Sequence, residues 1–94
     1  MPETLEITDD DDILRIASAL SSGTRLEILQ FLLQKEQDVT RVAKHLSGTE
    51  ANASAQIKIL QEAGLLDYRH EPGQHGLKKI SWTSVDEIVI DLTP

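Results

Sequence analysis

The hydrophobic period of this chain changes once, at Gly64, and that change limits the folds open to it. Before Gly64, apolar side chains recur every three to four residues, the spacing of helices with one buried face. After it they alternate with polar ones, in Leu66-Asp67-Tyr68-Arg69-His70 and again from Leu77 to Trp82, which is the spacing of half-buried strands. Between these runs lies Pro72-Gly73-Gln74-His75-Gly76, a sequence made for a turn. Helices first and a single hairpin after them, within 94 residues, predict one small α+β domain, mainly α, with about four helices and one core.

The individual elements follow from caps and spacing. Asp9 to Asp12 put negative charge where a helix N-terminus favours it, and Ile13, Leu14, Ile16, Ala17 and Leu20 continue at helical spacing over about 11–20. Asp11 and Arg15 stand one turn apart and are expected to pair. Ser22 is a good N-cap for a second helix over about 23–35. Its Leu26, Ile28, Leu29, Leu32 and Leu33 form an apolar arc wider than a surface stripe, as a central core helix requires. Thr40 is expected to cap a short third helix, with Val42, Ala43 and Leu46 inward and Arg41 and Lys44 outward. Ser47-Gly48 turns the chain. Thr49 caps a fourth helix over about 50–63, with Ala53, Ile57 and Leu60 buried and Gly64 in the left-handed closing position. Strands are expected over about 66–71 and 77–82. Val85 and Ile88 to Leu92 have strand character without an evident partner. The chain thus divides into an acidic flexible tail (1–10), a folded unit (11–83) and a strand-like C-terminal extension (84–94).

Charge is unevenly spread. The net charge is −7, but six uncompensated acids sit within residues 1–12. Residues 40–82 carry Arg41, Lys44, Lys58, Arg69, Lys78 and Lys79 against four acids. Solvation and capping account for the acidic leader; repulsion of misplaced DNA, or contact with a partner, is the sharper alternative. No apolar run is long enough to span a membrane, and the acidic start is unlike a signal peptide. There is no cysteine, which removes thiolate metal sites, thiol nucleophiles and disulfides and agrees with a cytoplasmic location. No phosphate loop, nucleophile elbow or paired acid and base is present, so no catalytic residue is assigned and no enzyme is expected. His70 and His75, five apart, lack a third ligand, so no metal site and no cofactor are expected.

Two short helices joined by a Ser-Gly-Thr turn and followed by a hairpin define a winged helix-turn-helix. A helix about 10–12 Å across fits the DNA major groove; the preceding helix braces it, and the hairpin reaches flanking phosphates.

Three segments also resemble a known family. Ala19-Leu20-Ser21-Ser22-Gly23-Thr24-Arg25-Leu26-Glu27-Ile28-Leu29 resembles the lead helix of ArsR-like transcriptional regulators. Val39-Thr40-Arg41-Val42-Ala43-Lys44-His45-Leu46 is similar to their bracing helix, and Ser54 through Leu65 to their recognition helix. The likeness covers about residues 13–82. It implies a double-stranded-DNA-binding transcription regulator, usually a homodimer on an inverted repeat, and a chain that is either a short member or the DNA-binding head of a longer one. The departures are Ala55 and Gln56, where the family often carries Arg and His. The absence of Cys and of a long terminal helix puts arsenic- or zinc-type sensing outside expectation. The effector is not legible.

On this reading the DNA-facing strip of the fourth helix contains Ser54 and Lys58, with Ala51 and Ala55 small enough for close approach. Asn52 and Gln56 are candidate base readers, Asn52 for adenine. Thr49 is a cap that also offers its backbone N–H to phosphate. Arg41 and Lys44 are phosphate contacts or a solvated face. Arg25 makes a phosphate contact or an internal ion pair. Arg69, His75, Lys78 and Lys79 belong to a phosphate-clamping wing, or simply protect an edge strand. Few phosphate contacts per subunit favour a dimer, with the first helix and residues 85–92 as candidate surfaces. The alternative function is a winged-helix protein–protein interaction module without DNA binding.

Overall fold

The computed structural model describes residues 2–94. In chain order the elements are β1 (Glu3–Ile7), α1 (Asp10–Ala19), α2 (Gly23–Gln34), β2 (Gln37–Asp38), α3 (Val39–Leu46), α4 (Glu50–Glu62), β3 (Asp67–Gly73), β4 (Gly76–Trp82) and β5 (Val85–Ile90). Four helices and an antiparallel hairpin make a winged helix-turn-helix, as the change of period predicts. β4 is the middle strand of a three-stranded sheet in the order β2-β4-β3.

The capping residues act locally. The Asp9 carboxylate accepts from the Asp12 N–H, and the Ser22 hydroxyl from the Arg25 N–H; each satisfies a donor the helix cannot. Arg15 pairs with Asp12 at 2.7 Å and not with Asp11, since a spacing of three brings side chains together as well as four does. α3 begins two residues earlier than expected. Its cap is Asp38, which accepts from Arg41 N at 2.9 Å, and not Thr40. The reason is β2: Gln37 and Asp38 pair with Ser81 and Ile80, so the chain passes from sheet to helix without a linker.

The core is built from Ile16, Ile28, Leu32, Val42, Ala53, Ile57, Leu60 and Leu65, all nearly or fully inaccessible. The arc of α2 is narrower than expected, because Leu26 and Leu33 remain 45% and 40% exposed. α2 is covered by α3, α4 and β4, which leaves one side open.

The acidic leader is not loose. Glu3–Ile7 is a strand, paired in parallel with β5, with Leu5 opposite Ile88 and Ile7 opposite Ile90. Leu5 and Ile7 alternate with Thr4 and Glu6, so one face joins the core while the acids stay in water. Charge masked that alternation in the sequence. The same pairing supplies the partner that β5 lacked. The hairpin strands also run further than expected, to Gly73 opposite Gly76, leaving Gln74 and His75 as the tip. Pro72 is tolerated because β3 is an edge strand.

Candidate nucleic-acid interface

The α3–α4 turn sets the angle of the exposed helix. Ser47 closes α3 in the left-handed region (φ 55°). Its N–H bonds to the Lys44 carbonyl, and the Gly48 N–H to that of Ala43, the paired bonds of a Schellman close. Thr49 then caps α4, its hydroxyl accepting from Asn52 N at 3.1 Å. At the other end, Gly64 (φ 81°) and Leu65 bond back to Gln61 and Leu60. Both ends of α4 are thereby fixed, and Ala53, Ile57 and Leu60 lock its inner face into the core.

The outer face is polar and shallow. Ala51, Asn52, Ala55 and Lys58 are exposed, and the two alanines leave room for a close approach. Ser54 lies elsewhere than expected. It is half-buried at the seam between α4 and the wing, where Lys79 Nζ donates to its hydroxyl at 3.3 Å. Lys79 also stands over the Tyr68 ring. Burial, and then repulsion from Lys58, push the Lys79 ammonium below its ordinary value of 10.5.

A groove runs between the start of α4 and the wing. It is lined by Thr40, Glu50, Ser54, His75, Lys78 and Lys79 among others. The Thr40 hydroxyl donates to the Glu50 carboxylate, so the acid at the mouth of α4 is held beside α3. The structure therefore brings Ser54, His75, Lys78 and Lys79 together. Arg41 and Lys44 line a separate recess with Phe31, Gln37 and His45.

Two arginines are engaged internally. Arg69 forms a pair with Glu36 at 3.1 Å, bonds through Nε to Glu71 at 2.6 Å, and lies over Trp82. The hydrogen bond from Arg69 holds the Glu36 carboxyl below its usual range. Its fork is filled by protein carboxylates and not open to phosphate. Arg25 makes neither a phosphate-ready display nor, among the described residues, an ion pair. Its Nε donates to the Ala19 carbonyl at 2.7 Å, Nη2 to Ser18 at 3.1 Å, and Nη1 to Gln56 Oε1 at 2.8 Å. Gln56 is accordingly turned toward α2 and not outward, and its Nε2 donates to Asn52 Oδ1 at 3.1 Å.

Sequence reasoning missed these contacts. The four-residue spacing of Asn52 and Gln56 was a usable signal. Nothing local pairs Arg25 with a residue 31 positions away. The stack of His45 on Phe31, centroids 3.9 Å apart and nearly parallel, is equally long-range.

The profile of the bacterial regulatory proteins of the arsR family matches residues 22–68, from the cap of α2 into β3. The chain belongs to the arsR family. Solved structures agree with that placement. The crystal structure of a possible transcriptional regulatory protein from Mycobacterium bovis (fragment 1–100) superposes on this arsR-family chain with a TM-score of 0.70 at 31% identity, over 79% of this chain and 75% of that one. A solution structure from the same organism, of a homodimeric winged helix-turn-helix DNA-binding domain (fragment 1–100) of a possible ArsR-family regulator, gives 0.69 at 31% identity, over 79% and 65%. The HTH-type transcriptional regulator Rv0324 of Mycobacterium tuberculosis is 36% identical over 61 residues, which are 65% of this chain and 27% of that protein. The arsR-family chain thus matches about a quarter of that regulator's length. Among the described residues, no helix is long and apolar enough to cross a membrane.

Proposed function

We propose that this chain binds double-stranded DNA sequence-specifically, as a homodimer, and regulates transcription in the cytoplasm without catalysing a reaction. α4 enters the major groove with Asn52, Ala55 and Lys58 foremost, and the wing lays Lys78 and His75 on the flanking backbone. The observation that carries this reading is the junction of α4 and the wing. An exposed helix face with small side chains at its centre stands beside a hairpin whose lysines converge on the same groove. Such an arrangement suits a duplex, because backbone cations supply affinity while a close-fitting helix reads base edges. The homodimeric mycobacterial relative supports a two-fold assembly, which places two α4 helices about one helical turn of DNA apart. Exposed Leu14 on α1, together with Val89 and Leu92 in and after β5, offers apolar surface for that contact.

Selection from a random duplex pool tests the reading. Recovery of an inverted repeat, with affinity falling steeply as salt rises, is the expected result. Selection of no sequence at low salt refutes it.

A further inference from the structure

The hydrogen bonds around Gln56 have a direction that only one residue can set. Arginine carries five N–H donors and no acceptor. Facing Arg25 Nη1, Gln56 must turn its carbonyl oxygen inward, at 2.8 Å. Its amide nitrogen then faces Asn52, which must answer with its own oxygen, at 3.1 Å. Asn52 Oδ1 is thereby turned toward Gln56, and its NH2 group remains outward, with no hydrogen-bond partner among the described residues. Arg25 is itself held by the carbonyls of Ser18 and Ala19 at the end of α1. The origin of the chain is backbone, and it does not rotate.

We propose that Arg25 and Gln56 are positioning residues that fix the outward hydrogen-bonding group of Asn52 and so set base preference in the major groove. The inference rests on the DNA-binding reading above and deepens it. A freely rotating asparagine pairs with adenine, accepting from N6 and donating to N7. The relay turns the accepting half toward Gln56 and away from the outer face. An amide that only donates matches guanine, whose N7 and O6 are both acceptors, and has nothing to offer the exocyclic amine of adenine or cytosine. Asn52 therefore favours guanine over adenine. It lies in the first turn of α4, the part of a recognition helix that meets base edges.

The substitution Gln56→Glu reverses the relay without removing it. A glutamate still accepts from Arg25, but it cannot donate to Asn52. Asn52 must then turn its NH2 inward and its oxygen outward. Gln56→Met breaks the relay and lets Asn52 rotate. Selection from a random duplex pool is run for the wild type, Gln56→Glu, Gln56→Met and Asn52→Ala, the last to locate the base pair that Asn52 reads. At that pair the wild type is expected to favour guanine over adenine by roughly tenfold. Gln56→Glu reverses the preference toward adenine or cytosine, and Gln56→Met brings it near parity. The added charge of Gln56→Glu lowers affinity for all duplexes alike, so the ratio between bases is the readout.

A second measurement needs no DNA. In the free chain, NMR of the side-chain amides shows a hydrogen-bonded Gln56 Nε2 proton in the wild type and a hydrogen-bonded Asn52 Nδ2 proton in Gln56→Glu. If the amide protons exchange roles but the wild type selects no duplex, DNA binding is the failed premise, and the base assignment falls with it. If the wild type selects a sequence and Gln56→Glu keeps the same preference, the relay is overturned.

Discussion

Lys79 holds its ammonium 4.0 Å from the centre of the Tyr68 ring, on the strand paired with its own. The same nitrogen reaches Ser54 on α4. One side chain thus joins the two halves of the candidate interface, which fixes the distance between recognition helix and wing before any ligand arrives.

That position makes the fold sensitive to alkaline pH. Burial, followed by Lys58, lowers the Lys79 pKa below 10.5 in the folded state. The unfolded chain then binds this proton more tightly than the folded one, and stability rises with pH through that window. The Tm of the wild type relative to Lys79→Met should move in the wild type's favour as pH climbs toward 10.5. Thermal melts of both proteins across that range check the sign; a difference independent of pH contradicts it.

Salt dependence separates free cations from engaged ones. Lys58→Ala and Lys78→Ala should each reduce the slope of log affinity against log salt by about 0.9, one phosphate contact apiece. Arg69→Ala should leave the slope unchanged, because Glu36 and Glu71 already fill its fork. Binding titrations at several salt concentrations distinguish the three.

Ser47 is a non-glycine residue in the left-handed region, where L side chains meet steric cost. Ser47→Gly relieves that cost and adds freedom to the unfolded chain in partial offset. Denaturant unfolding should show a net gain of about 0.5 kcal/mol. A loss would mean that the Ser47 side chain contributes to the turn.

Ser81 sits in the middle strand, fully inaccessible, and its hydroxyl has no hydrogen-bond partner among the described residues. Ser81→Ala removes an unsatisfied polar group and almost no volume. A gain of about 1 kcal/mol is expected, visible as a Tm increase of roughly 4–8 °C for a domain of this size.

Leu14 is 68% exposed on α1. Leu14→Glu should weaken self-association with no loss of helix content, since the side chain contributes nothing to the core. Sedimentation over a range of concentrations, with circular dichroism alongside, checks both halves.

The helices were legible because each is bounded by residues that act within one turn: Ser22, Thr49 and Gly64 mark ends that the structure places where the sequence does. The period change at Gly64 likewise exposed the hairpin. What escaped was carried by partners distant in sequence. The strand at Glu3–Ile7 is defined by β5, more than eighty positions away, and five residues of alternation could not outweigh the adjacent aspartates. In the candidate site, Lys58, Lys78 and Lys79 were readable as type and spacing. The engagement of Arg69 by Glu36, and of Arg25 by two carbonyls and Gln56, depends on tertiary approach, so Arg69 reads as a wing cation, and Arg25 as a phosphate contact or an internal ion pair, until the fold is known.

The parallel pairing of Glu3–Ile7 with Val85–Ile90 links nearly the first described residues to nearly the last. Closing so long a loop costs more chain entropy than any other contact in the molecule. The ribbon should therefore zip after helices and hairpin are assembled, and fray before them. Amides of Leu5 and Ile88 will exchange with deuterium sooner than those of Ile57, while the helix-and-hairpin framework stays shut.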